Sequence, residues 1–252
     1  QPHLYVSAAI TLALKVLLEG PYDIGTGLMA DPLRALGHLP LQEPYTAMGH
    51  TPSGALTTTP GVLAVTGPDA IVDWVLVELR DPVLPATVVD ARSALLQRDG
   101  DVVDVDGTSP VLFCDQDDVP YKLAVRHRNH LGVMTAADHV LSGTPLSIDL
   151  GLGTTAVFGT DARHAVGGAE LLWQGNVRYD GVVKYTGTNN DRDPILVRIG
   201  GFVPTAILNG YWPEDVNMDG TVKYAGAGND RDRVLLTIGG SVPTATRAQQ
   251  LP

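Results

Sequence analysis

Apolar residues in the first two-thirds of the chain come in runs rich in Val, Leu and Thr, separated by Gly, Pro and Asp. Short apolar runs bounded by turn formers read as strands. The pattern predicts strands at Ile10–Leu18, Ala70–Leu79, Ala86–Leu96, Val102–Val105, Val111–Phe113, Tyr121–Arg126 and Leu146–Leu150. From Ile71 to Leu79 odd and even positions are alike apolar, the pattern of a strand covered on both faces. Strands of this spacing favour a mostly β fold, a two-sheet β-sandwich over residues 1–169. Residues 20–60 are rich in Pro, Gly and Thr and read as a long loop excursion.

Beyond residue 170 the pattern changes. Residues 176–208, NVRYDGVVKYTGTNNDRDPILVRIGGFVPTAIL, align with 215–247, DVNMDGTVKYAGAGNDRDRVLLTIGGSVPTATR, at 19 of 33 positions with an offset of 39. A unit this small cannot bury its apolar face alone, so residues 170–252 read as a paired module. In each copy a polar loop leads into a short helix that Gly200-Gly201 or Gly239-Gly240 stops. Asp193-Pro194 reads as an N-cap with proline at the first helical position.

The second loop carries Asp215, Asn217 and Asp219 at alternate positions, then Gly220 and Thr221. Oxygens at positions 1, 3 and 5, a glycine at 6 and a backbone carbonyl at 7 wrap a hard cation, and calcium tolerates the flexible geometry. Gly226 stands where an EF-hand loop would close with an acid. A short insertion delays the acids to Asp230, the first choice for the closing ligand, and Asp232, its competitor. The alternative is a polar turn without metal, which Asp, Asn and Gly also favour. In the first copy the aligned loop has Asn176 at position 1 and Arg178 at position 3. Either the Arg178 guanidinium replaces the ion and pairs with Asp180 or Asp191, or a rearranged site uses Asn176, Asp180, the Val182 carbonyl and Asp191, with Asp193 in reserve.

These loop–helix pairs resemble type I dockerin repeats. The variant VKYxGxxNDRDxxL…IGGxVPTAT is similar to C-terminal regions of large secreted Bacteroidota proteins of haemagglutinin-like type. The likeness extends upstream through LEGPYDIGTGLM, AIVDWVLVELRD, RSALLQRDGDVVDVDG and VRHRNHLGVMT. It implies an extracellular, cell-surface module stabilised by calcium. Arg178, the lengthened loops and the short helices depart from the dockerin pattern, which weakens the implication of cohesin-type docking.

Charge changes the picture of partners. The 252 residues carry a net charge of −11 with a sequence pI near 4.9, which excludes phosphate-backbone binding as the main task. Residues 170–252 hold nine acids and eight bases, so the surplus lies in residues 1–169, where seven aspartates crowd Asp99–Asp118. One cysteine, Cys114, excludes an internal disulfide. No apolar run is long enough to span a membrane, and the start shows neither a basic region nor a cleavage motif.

Other candidate chemistry is thinner. His127-Arg128-Asn129-His130, with His139 nearby, lacks a zinc-site frame and reads as a strand-end loop with packed or solvated imidazoles. Asp104 and Asp106 alternate with valines, which reads as the solvent face of a strand rather than a glycosidase pair. Among aromatics that could form a sugar platform, Tyr45, Trp74, Trp173, Tyr211 and Trp212, the pair Trp173 and Trp212 recurs at the repeat offset and reads as packing anchors. Leu4–Leu18 reads as a strand free to pair with a neighbouring copy. The expectation is a non-enzymatic, calcium-stabilised structural or adhesion protein that self-associates into a filament or matrix. The alternative is a carbohydrate-binding or dockerin-like adaptor that meets a glycan or a surface protein.

Overall fold

The computed structural model describes residues 9–114, 116 and 119–252. The order is β1 (Ile10–Lys15), β2 (Tyr22–Asp23), β3 (Leu28–Met29), α1 (Pro32–Ala35), α2 (Pro60–Leu63), β4 (Ile71–Arg80), β5 (Val88–Gln97), β6 (Asp101–Val103), β7 (Val111–Phe113), β8 (Pro120–His127) and β9 (His130–Met134). There follow β10 (His139–Val140), β11 (Leu146–Asp149), β12 (Arg163–Val166), β13 (Ala169–Leu172), β14 (Val182–Lys184), α3 (Arg192–Arg198), β15 (Ile207–Asn209), β16 (Thr221–Lys223), α4 (Asp230–Thr237) and β17 (Thr246–Ala248). No helix among the described residues is long and apolar enough to cross a membrane.

The fold is mostly β, and its centre is one nine-stranded sheet rather than two separate sheets. Its order is β10-β8-β4-β5-β6-β1-β11, with β9 also on β8 and β7 also on β1. All pairings are antiparallel except β1 with β11. Seven strands laid flat would separate the two ends of that order by about 29 Å. Yet Val140 and Leu146 end β10 and begin β11, and six residue steps reach at most about 22 Å. The sheet therefore curls on itself. Ile10, Leu12 and Leu14 from one end join Val75, Val77 and Leu79 in a single core, which is why the pattern resembled a sandwich.

β4 is buried at all ten positions, its apolar residues on both faces and the charged Asp73, Glu78 and Arg80 among them. The excursion at residues 20–60 supplies part of the cover: Met29, Leu33, Leu39 and Tyr45 belong to the same core. Trp74 Nε1 donates to the Pro40 carbonyl at 2.9 Å, and Tyr45 Oη donates to the Trp74 carbonyl at 2.9 Å. Tyr45 and Trp74 are both fully buried, so neither is a sugar platform. β1 is paired along both edges within this chain, so residues 10–15 are not a free strand; residues 4–8 of the Leu4–Leu18 expectation lie outside the described residues.

The acidic stretch also differs from expectation. β6 ends at Val103, and Asp104 turns inward to Arg92 at 3.0 Å rather than facing solvent. Asp106 accepts the amides of Thr108 and Ser109 at 2.9 Å each, which closes the following turn. Asp115, Asp117 and Asp118 lie outside the described residues.

The two repeats interlock. Strand β14 of the first copy pairs with β17, the tail of the second, while β16 of the second pairs with β15, the tail of the first. Their shared core is built from equivalent pairs 39 residues apart: Val177 and Val216, Val183 and Val222, Ile195 and Val234, Ile199 and Ile238. Neither copy can bury these side chains alone. Trp173 joins this core, and Trp212 packs against it.

Candidate metal centre

The second loop folds around its own first and last acids. Asp215 accepts the amides of Asp219 at 3.1 Å and Gly220 at 2.8 Å. Asp230 reaches back across the loop and accepts the amides of Val216 at 2.7 Å, Asn217 at 3.3 Å and Lys223 at 2.7 Å. Met218 must take a left-handed φ of 59° for the turn to close, and Gly220 follows at 84°. Asn217 Oδ1 accepts the Asp219 amide, and Asp219 Oδ1 accepts the Thr221 amide.

Asp215 and Asp230 are fully buried, and neither makes an ion pair among the described residues. Burial lifts the Asp215 carboxyl to about 6 against the pull of Arg128. Burial, then the charge of Asp215, lifts Asp230 to about 8 despite its three amide donors. Two acids held together this way are costly when ionised. A divalent cation would relieve them. The donor set fits calcium: carboxylates of Asp215, Asp219 and Asp230, the Asn217 amide oxygen and the Thr221 carbonyl are all hard oxygens. Among the described residues no ready cluster of three or more His, Cys, Asp or Glu groups is assembled, so the amide and carbonyl oxygens are needed to complete any shell.

Asp232 stands elsewhere. It is exposed, pairs with Arg231 at 2.9 Å, and its amide donates to Asn229 Oδ1 at 2.9 Å, so it belongs to the cap of α4.

The first loop repeats this backbone, with Tyr179 at φ 57° and Gly181 at 79°. Asp191 takes the place of Asp230: fully buried, it accepts the amides of Arg178 at 3.0 Å and Lys184 at 2.8 Å. Burial lifts it to about 6. Asn176 Oδ1 accepts the Gly181 amide, and Asp180 Oδ1 accepts the Val182 amide, each near the loop turn. Arg178 does not fill the site, because its Nε donates to the Asn190 carbonyl at 2.8 Å and not to Asp180 or Asp191. Asp193 is not the helix cap. Asn190 accepts the Asp193 amide at 2.8 Å, and Pro194 falls at the third helical position.

The histidine motif proves to be the joint between sheet and repeats. At the β8–β9 turn, Asn129 Nδ2 donates to the Asp215 carbonyl at 2.7 Å, and its own carbonyl accepts the amides of Gly175 and Asn176. Arg128 donates to Asp73 at 2.9 Å through Nε and to the Trp212 carbonyl through Nη1. Asp73 also accepts Tyr211 Oη at 2.6 Å and His127 Nε2 at 3.1 Å. The Gly20 amide donates to His130 Nε2, which leaves the proton on Nδ1. That proton meets His127 Nδ1 at 2.9 Å and Asn129 Oδ1 at 2.8 Å. Both imidazoles are thereby fixed as neutral tautomers, and burial pushes both below the usual histidine range. Burial alone would raise Asp73, but Arg128 and His127 outweigh it and hold it at about 2.

The fourth residue of each loop ties the repeats to the rest of the fold, Met218 to the main core and Tyr179 to the 20–60 excursion. Met218 is buried in the main core, and Tyr179 Oη meets His50 Nε2 at 2.9 Å. Sequence reasoning passed over both, although their shared offset of 39 was visible. Family models, curated proteins and solved structures were compared with the chain, and none matches.

Proposed function

We propose that this chain is a non-enzymatic extracellular structural or adhesion protein in which calcium, held by dockerin-like loops, locks a repeat module onto a curled β-sheet. The observation that carries the reading is the pair Asp215 and Asp230, both fully buried and raised together, inside a loop whose backbone the chain builds twice. Calcium binding energy at such a site becomes folding energy. The same loop carries Met218 into the main core, so filling it would stiffen the joint as well as the module. Self-association is supported by apolar residues exposed at equivalent places in both copies, Val197 and Leu236, Val203 and Val242, with Phe202 beside them in the first. Thermal unfolding in calcium and in EGTA tests the metal; an unchanged midpoint would reject it. Sedimentation of Phe202→Ser, which copies Ser241 of the second repeat, tests assembly. Unaltered association in that variant would remove the repeat face from the interface.

A further inference from the structure

The joint between sheet and repeats leaves a cleft of about 450 Å³ between the 44–48 turn, the first loop and residues 211–213, a volume suited to a small ligand. Its lining includes Met48, Tyr179 and Trp212 as apolar and aromatic wall, and Arg128, Arg178 and Arg198. In a chain of net charge −11, three guanidinium groups at one cleft stand out. Arg128 is 2% exposed and answered by Asp73, but its Nη2 has no hydrogen-bond partner. Arg198 lies over the Trp212 ring at 4.3 Å and is answered by Glu214 at 3.0 Å. Arg178 uses only Nε, on a neutral carbonyl, and makes no ion pair among the described residues. Asp193 senses the Arg178 charge but pairs with Arg192, so one guanidinium at the cleft is left without a paired carboxylate.

We propose that this cleft binds a carboxylate-bearing sugar of the uronic-acid type. A single surplus charge matches a monoanion better than a phosphate dianion, and a planar carboxylate matches the guanidinium fork. The C–H face of a pyranose covers the Trp212 and Tyr179 wall, and its hydroxyls turn to the open mouth, where Arg178 is exposed. A neutral sugar would leave the guanidinium unpaired, which is the basis for discrimination. The proposal deepens the adhesion reading by naming a ligand, but no side chain it uses is a calcium ligand. The two can fail separately.

The test titrates glucuronate, glucose, inorganic phosphate and acetyl-aspartate amide into the full chain, with calcium and with EGTA, following tryptophan fluorescence. Saturable binding of glucuronate, absent for glucose and weaker for phosphate and the aspartate amide, is expected in calcium. Arg178→Ala should weaken it about tenfold or more while the melting temperature stays unchanged, and Arg178→Lys should fall between. Equal binding of glucose, no saturation in the millimolar range, or an unaffected Arg178→Ala would overturn the proposal. Tighter binding of the aspartate amide would overturn it in favour of an acidic peptide. A melting temperature indifferent to calcium, with glucuronate still bound, would sink the calcium reading alone.

Discussion

Calcium binding to the second loop should expel a proton, and the amount follows from the two buried acids. Raising Asp230 from 3.8 to about 8 makes its ionised form roughly 6 kcal/mol costlier in the folded, metal-free chain. Asp215, at about 6, adds a smaller penalty of the same sign. At pH 7 Asp230 is then roughly nine-tenths protonated and Asp215 mostly ionised, so the entering ion displaces about one proton. Calorimetric titration of calcium in two buffers of different ionisation enthalpy measures that number. About one proton per ion is expected at pH 7, declining toward none near pH 9, and Asp230→Asn should abolish the release. The sign of metal-free stability follows too. The folded chain holds protons that the unfolded chain has already lost, so stability falls as pH rises from the unfolded value of 3.8 up to about 8, more steeply below about 6 where Asp215 also contributes. Calcium removes that loss. Binding at pH 7 with no proton released would refute the reasoning, because it would mean the acids are already ionised in the empty loop.

Asp230→Asn should erase the calcium response and the proton release, and should lower metal-free stability by about 1–3 kcal/mol because Nδ2 cannot accept the Lys223 or the Val216 amide, whereas Asp232→Asn should cost about 1 kcal/mol or less through the α4 cap and keep the response; melting curves with and without calcium separate the two. Asp73→Ala strips Arg128 of its buried partner and should cost about 3–5 kcal/mol in urea unfolding. His127 and His130 have folded values below the unfolded one, so calcium-loaded protein should lose stability as pH falls below about 6.5, and His127→Gln should flatten that decline. Gly54 sits at φ 78°, with a built Cβ 1.6 Å from Arg92 Nη1. Gly54→Ala should therefore displace Arg92 from Asp104 and lower the melting midpoint.

Much of the sheet was legible because its strands are local apolar runs: Ile71–Arg80 and Val111–Phe113 fall within a residue of the expected bounds. Whether those strands close one sheet or two depends on long-range pairing, and the five residues between β10 and β11 decide it only once both partners are known. The short strands of the repeats escaped because each is paired by the other copy, so neither stretch carries a hairpin signal of its own. Asp230 was the first choice for the closing ligand and Asp232, two residues on, its competitor; the Asn229 cap separates them by drawing Asp232 outward. The motif at residues 127–130 read as a strand-end loop with packed or solvated imidazoles, and His127 and His130 are buried. That Asn129 would carry the Asp215 carbonyl could not be read from spacing, because a separation of 86 residues gives no local trace of the contact.

The most direct measurement is a count of calcium bound per chain by elemental analysis after dialysis against trace calcium, on wild type and Asp230→Ala. The account predicts at least one ion on the wild type and one fewer on the variant. Equal counts would contradict it, as would a wild type that emerges from dialysis with no calcium.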